Sequence, residues 1–281
     1  MGLGLNGIDH VVIAVRDLER AAENWAALGF TLSPPGLHSP HMGTGNRTLM
    51  LGSDYLELLG VVADTDVNAP LRAFLAEREG AERLAFATSD AGALADALRR
   101  RGVAAVGPLD FGRPVALPGG GETEARFRTA LWPADARVGG LRLFACEHLT
   151  REAVWRPELQ AHANGAIGIG RVELACADAD AAAADFAALT GLAPRRVEHG
   201  FEAAWSGGGH LLFTTPERFA ALRPGAAGGD GVVGGDGVVG LTLRTADIAA
   251  ARRFATLEGA DGAAVAPAAR ASGVVLAFEG E

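Results

Sequence analysis

Ile8-Asp9-His10-Val11-Val12-Ile13-Ala14-Val15-Arg16-Asp17, with the segment it launches to Leu28-Gly29-Phe30, decides how the rest of the chain is read. The apolar, β-branched run predicts a short strand. Asp17 is placed to cap a helix, about twelve residues follow at helical spacing, and Gly29 is placed to end it. One such unit is commonplace, but this chain writes it four times. The second copy begins at Arg83, is capped by Asp90 and runs through Ala93, Leu94, Ala97 and Leu98 to Gly102. The third runs from Arg171 and Asp178 through Phe186 and Leu189 to Gly191, and the fourth from Gly240 and Asp247 through Phe254 and Leu257 to Gly259. The separations from Asp to Gly are 12, 12, 13 and 12 residues, too regular for chance, so the repeat is taken as real.

Strand-like stretches follow each predicted helix: 47–51 and 55–59 around the turn Gly52-Ser53-Asp54, then 124–132 and 141–146, then 201–205 and 210–213, and finally 273–278. Pro118-Gly119-Gly120-Gly121 reads as a surface loop. The module is therefore β-α followed by two or three strands, and four modules pair into two domains. The interruption around Trp155-Arg156-Pro157 places the boundaries: an N-terminal domain at 1–148, a linker at 149–165 and a C-terminal domain at 166–281. A tandem Gly-Gly-Asp-Gly-Val-Val at 228–233 and 234–239 reads as a flexible linker. Its six-residue period and few carboxylates do not suit a calcium-binding array.

With 49% apolar residues in 281, the chain can bury a substantial core. A net charge of -9 argues against nucleic acid and against an anionic membrane surface as partners. All 25 basic residues are Arg, which reads as coding bias. Two cysteines, Cys146 and Cys176, read as small buried apolar residues and fit a reducing cytoplasm. Neither a signal peptide nor a membrane span is predicted, so the expectation is a cytoplasmic protein.

The paired modules, with Ile8-Asp9-His10-Val11 in the first strand and Tyr55-Leu56-Glu57-Leu58 in a later one, resemble the vicinal oxygen chelate superfamily (glyoxalase, bleomycin resistance and extradiol dioxygenase fold), and most closely its glyoxalase-like branch. Leu28-Gly29-Phe30 and Gly43-Thr44-Gly45-Asn46 belong to the same pattern, which is specific over roughly residues 7–61. The resemblance implies an α+β fold of four βαβββ modules in two tandem glyoxalase-like domains, each with a cup-shaped mixed sheet that holds the ligand. It also implies a divalent metal (zinc, manganese, nickel or iron) acting as a Lewis acid on two neighbouring substrate oxygens. No nucleotide cofactor is expected. His10 and Glu57 fall at first-strand and last-strand ligand positions, but the matching second-module positions, Arg83 and about Leu143, are not ligands. Arg171 and Gly240 stand at the first-strand positions of the later copies, so the two-His pattern of ring-cleaving dioxygenases is missing, and Glu279 lacks His companions.

Glu57 between Leu56 and Leu58 projects to the opposite face from both, where an unpaired buried carboxylate would cost several kcal/mol. A cation, an Arg or a polar ligand in the cup removes the difficulty. Arg83 could pair with Glu57, clamp an anionic substrate group, or simply be solvated. The polar stretch 38–46 offers His38 and His41 as a third ligand or general base. His210 could line a second cavity, and Glu173 calls for a partner such as Arg171 or Arg244. Two readings follow. In the first the protein is an isomerase- or lyase-type enzyme: His10 and Glu57 hold the metal, Glu57 and His41 are catalytic, and Arg83, His38, Thr44 and Asn46 bind a small oxygenated, anionic metabolite. In the second it is a metal-free binding or sequestering protein like the superfamily's drug-binding resistance proteins. Monomer and homodimer are both open.

Overall fold

The computed structural model describes residues 3–117, 120–227 and 237–281. The tandem stretch read as a flexible linker lies outside the described residues up to 236, as do Pro118 and Gly119 of the predicted loop. The first module comprises β1 (Leu5–Ala14), α1 (Leu18–Ala26), β2 (Gly36–Leu37), β3 (Thr44–Met50) and β4 (Tyr55–Val61). After α2 (Ala69–Glu77) comes the second, with β5 (Gly80–Thr88), α3 (Ala91–Arg100), β6 (Val106–Ala116), β7 (Glu122–Leu131), the short β8 (Arg137–Val138) and β9 (Leu141–His148). Two 3-10 turns, Arg151–Ala153 and Pro157–Leu159, lead to the third: β10 (Ala166–Ala175), α4 (Ala179–Thr190), β11 (Arg195–Val197), β12 (Gly200–Ala204) and β13 (His210–Thr214). Beyond α5 (Pro216–Leu222) lies the fourth: β14 (Val238–Thr245), α6 (Ile248–Arg252), β15 (Leu257–Glu258), β16 (Ala264–Ala266) and β17 (Val275–Gly280).

All four repeated aspartates cap their helices. Asp17, Asp90, Asp178 and Asp247 accept from the backbone N–H of Arg20, Ala93, Ala181 and Ala250. Gly29, Gly102 and Gly191 follow α1, α3 and α4 in the left-handed region, at φ of 87°, 85° and 70°. The fourth copy departs from the predicted pattern. Its helix ends at Arg252, and Thr256 N–H donates to the Val265 carbonyl, committing the chain to β15 before Gly259 is reached.

Each pair of modules builds one sheet. The first runs β2-β3-β4-β1-β5-β9-β7-β6, with β8 on β9, and the second runs β11-β12-β13-β10-β14-β17-β16-β15. The central strands, β1 with β5 and β10 with β14, are antiparallel, and each is flanked by a parallel partner: β4, β9, β13 and β17. An approximate two-fold axis thus passes between the central strands, and each sheet curls into a half-open cup.

Alternation sorts the strand residues between two faces. Val11, Ile13, Leu56, Leu58, Leu84, Phe86, Leu143 and Ala145 face the helices, in one core shared with Val172, Leu174, Leu211, Phe213, Leu241 and Leu276 of the second sheet. Burying each such Leu, Ile or Phe contributes roughly 1.5–3 kcal/mol, and a one-residue slip would carry the whole set to the wrong face. Trp25 Nε1 donates to Ser272 Oγ at 3.2 Å, and Trp132 Nε1 to the Leu189 carbonyl at 3.0 Å, joining the two halves. The other face is the cup interior. In the N-terminal cup, Leu71 and Leu75 of α2 close one end against Val12, Ala14 and Leu59. No helix among the described residues is long and apolar enough to cross a membrane.

Candidate functional site

Two β-bulges set the polar end of the N-terminal cup. Ile8 pairs with Phe86 and His10 with Ala85, which leaves Asp9 as an extra residue. Val12 pairs with Arg83 and Ile13 with Ala81, which leaves Glu82 as another. A bulge breaks strict alternation, so Asp9 and His10 both turn into the cup, and Glu82 and Arg83 do the same. The next residues, Val11 and Leu84, return to the core.

Asp9 lies behind His10, with its Oδ2 2.6 Å from Nδ1. Asp9 also meets His148 Nε2, at 3.1 and 3.0 Å from its two oxygens. Burial opposes ionisation of Asp9, but the hydrogen bonds from His10 and His148 outweigh it and hold the carboxyl well below the usual range. An ionised Asp9 accepts from His10 Nδ1–H, and His10 Nε2 on the other side of the ring lies 3.6 Å from Glu57 Oε2. The Tyr55 ring stacks on His10 at 4.3 Å and Phe144 meets it edge-on at 5.2 Å, so the imidazole is fixed in orientation.

Glu57 is 8% exposed, and its Oε1 accepts from Asn46 Nδ2 at 2.7 Å. The same Asn46 nitrogen lies 3.3 Å from His38 Nε2, while His38 Nδ1 meets Thr44 Oγ1 at 2.8 Å. With Asn46 the donor, His38 Nε2 accepts and its proton sits on Nδ1. Burial lowers the His38 pKa, which keeps the ring neutral at neutral pH. Gly36 permits this closeness: a Cβ there would stand 2.4 Å from Asn46 Oδ1. That Oδ1 is buried without a partner among the described residues.

The structure thus brings together His10, Glu57, His38, Thr44 and Asn46. Arg83 joins them at the edge. Its Nε donates to Glu82 Oε2 at 2.5 Å rather than to Glu57, while its charge acts on both Glu57 and His38. His41 does not join the group; it is exposed in the turn preceding β3. Sequence reasoning passed over Asp9, Glu82, His148 and Arg113. Arg113 of β6 acts electrostatically on His38 and lines a cleft of about 40 Å³ with Ser33, Thr48 and Val154. A charged residue next to His10 inside an apolar strand was the available signal for Asp9.

The family model described as the glyoxalase-like domain matches residues 8–190. The chain belongs to the glyoxalase-like domain family. A hypothetical protein from Staphylococcus aureus shares the fold at a TM-score of 0.68 and 12% identity, covering 98% of this chain and 99% of the other. A mutant of 4-hydroxymandelate synthase from Streptomyces coelicolor shares it at 0.61 and 15%, covering 100% and 92%. Methylmalonyl-CoA epimerase from Mycobacterium tuberculosis aligns at 27% identity over 51% of this chain and 89% of its own, with a TM-score of 0.38. Comparison with curated proteins gave no match.

The glyoxalase-like repeat shows what replaces the ligands in the second module. Glu57 pairs with Val12, and the equivalent of Val12 in β5 is Ala85, which pairs with Phe144. Phe144, not Leu143, therefore stands at the last-strand position; Leu143 faces the helices. A metal of the superfamily kind is tested by the donors present. His10 Nε2 and Glu57 Oε2 lie 3.6 Å apart, a spacing that two ligands of one cation can take. Asp9 behind His10 is the kind of carboxylate partner that orients a ligand imidazole. The pair fits two positions of a coordination sphere.

The C-terminal half of this glyoxalase-like chain has a cavity of about 410 Å³ lined by Gly170, Arg171, Glu202, His210, Arg244 and Glu279. Gly170 and Arg171 stand where the first cup has Asp9 and His10. His210 Nδ1 lies 2.9 Å from Glu202 Oε1. Glu173 is fully buried and pairs with Arg171 at 2.8 Å, as expected, and with Arg223 at 2.6 Å, whereas Arg244 turns to Glu281.

Proposed function

We propose that the N-terminal cup binds a small oxygenated, anionic metabolite and carries out isomerase- or lyase-type proton chemistry on it, with His10 and Glu57 holding a divalent cation. The observation that carries this reading is the approach of His10 Nε2 to Glu57 Oε2, at 3.6 Å, in a buried cup. When bound, the cation supplies a Lewis acid to the two substrate oxygens. The chain's own residues do the rest. Asp9 holds the His10 tautomer, and Tyr55 holds its plane. Arg83 and Arg113 give the anionic group a cationic side of the cup to lie against, and Asn46 Oδ1 offers an unused acceptor to a substrate hydroxyl. His38, neutral and with Nε2 3.9 Å from Glu57 Oε1, takes up the substrate proton at Nε2 by giving up its contact from Asn46, in place of the exposed His41.

Purified protein incubated with zinc, manganese, nickel or iron and then dialysed tests the reading. One equivalent retained at the His10–Glu57 pair, and lost in His10→Ala and Glu57→Gln, supports it. A metal content that neither substitution changes overturns it. Metal-free sequestration of an organic ligand is the second reading, favoured by Arg83 and Phe144 at the two second-module ligand positions. It predicts ligand binding that survives chelator treatment.

A further inference from the structure

A second donor group lies on the wall of the same cup and shares no residue with the His10–Glu57 pair. Cys146 and His148, two apart on β9, project into the cup together, and the β1 bulge brings Asp9 to meet them. One ligand atom from each lies within 4.8 Å of the others. Asp9 and Cys146 are 1% and 3% exposed, and the His148 side chain 6%. His148 Nε2 stands 3.1 Å from Asp9 Oδ1, close to the edge of about 3.3 Å that two ligands at about 2.0–2.1 Å make on a tetrahedral ion.

The group is also under-used by the fold. Cys146 is a free, buried thiol, and His148 Nδ1 is buried with no partner among the described residues, so it can take the proton when Nε2 becomes a ligand. Interiors rarely leave such atoms unused. Around the group, Trp155 meets His148 edge-on at 4.7 Å, Phe127 at 5.1 Å and Tyr55 at 6.2 Å. This aromatic shell restricts water, as the surroundings of many bound metals do.

We propose that Asp9, Cys146 and His148 bind one zinc-class divalent cation through carboxylate, thiolate and imidazole, with the fourth position open to the cup. Thiolate and imidazole select zinc, cobalt or nickel over magnesium and calcium. On binding, the Cys146 thiol proton passes to solvent. The His148 proton moves from Nε2 to Nδ1, freeing Nε2 to ligate. Asp9 ligates through Oδ1 and keeps its bond from His10 through Oδ2.

Cobalt(II) is the probe, titrated into the full chain after chelator treatment. The expected result is that one equivalent of the bound cobalt gives a thiolate-to-cobalt charge-transfer absorption, which zinc then removes. Cys146→Ser should abolish the band. His148→Gln and Asp9→Asn should weaken binding by more than about 100-fold, beyond the cost of losing an outer-shell partner. Glu57→Gln, His10→Ala and Cys176→Ser should keep the band. Absence of the band in the native chain, or its survival in Cys146→Ser, overturns the proposal. Cobalt stoichiometry that falls in Glu57→Gln to zero while staying unchanged in Cys146→Ser assigns the metal to the other pair and overturns it equally. Should Cys146→Ser fail to fold by circular dichroism, alkylation of the native chain decides: zinc must slow modification of Cys146, and an unchanged rate overturns the proposal.

Discussion

The Asp9 carboxylate and the His10 imidazole, neighbours in the chain, meet at 2.6 Å because a bulge turns both into the same cup. Regular alternation would have placed one of them in the core.

Asp9→Asn should therefore destabilise the fold by about 3 kcal/mol at neutral pH, the low end for breaking a buried ionic contact. The Asp9 pKa is depressed in the folded state, so its contribution is complete above the unfolded value near 4 and lost as pH falls below it. Urea unfolding of both proteins should show a gap that is constant from pH 8 to pH 5 and narrows in stronger acid. A gap that widens in acid would refute the assignment.

Glu57→Gln should leave stability within about 1 kcal/mol of the native chain, because a Gln oxygen still accepts from Asn46. Turnover, where a substrate is found, should fall by about 100-fold or more. A large loss of stability with unchanged turnover would make Glu57 a purely structural residue.

Asp54, in the turn between β3 and β4, accepts from Ile169 N–H of the other half at 2.8 Å. Burial pushes its carboxyl up to about 7. A raised folded pKa means that the folded state binds the proton more tightly. Its stabilising effect is whole below about pH 4 and is lost as pH rises towards 7. Unfolding free energy should decline over that range by at most about 1.4 kcal/mol per pH unit from this group. Asp54→Asn, which keeps the acceptor, should flatten the decline in chemical denaturation across pH 4–8.

Arg223 is fully buried against Glu173. Arg223→Met leaves that buried carboxylate with Arg171 and the Thr242 hydroxyl and should cost about 3 kcal/mol. The double substitution with Glu173→Leu should recover most of it. A double-mutant cycle by thermal and urea unfolding reads the coupling, and simple additivity would show that the pair is not coupled.

Much of the fold was legible because the capping aspartates, the terminal glycines and the alternating strands are local signals, and Asp17, Asp90, Asp178 and Asp247 made the repeat visible. The fourth helix was over-extended because strand pairing by Thr256, a tertiary event, cut it short. His10, Glu57, His38, Thr44 and Asn46 meet through strands that the pattern already implied. Asp9 was marked only by its charge inside an apolar strand, Glu82 was hidden because a bulge leaves no mark in the alternation, and His148 because β9 ran two residues past its predicted end. Phe144 was misplaced by one residue, enough to exchange the cup for the core.

The single core beneath both sheets gives the second half a task independent of any ligand it binds. With Phe30 stacked on Phe278 and Trp25 bonded to Ser272, the C-terminal half buttresses the N-terminal sheet from behind. Divergence at Gly170 and Arg171 can then proceed without loosening the first cup, since what the buttress must preserve is its apolar face. The paired sheets separate the upkeep of a rigid frame from the cup that the frame holds open.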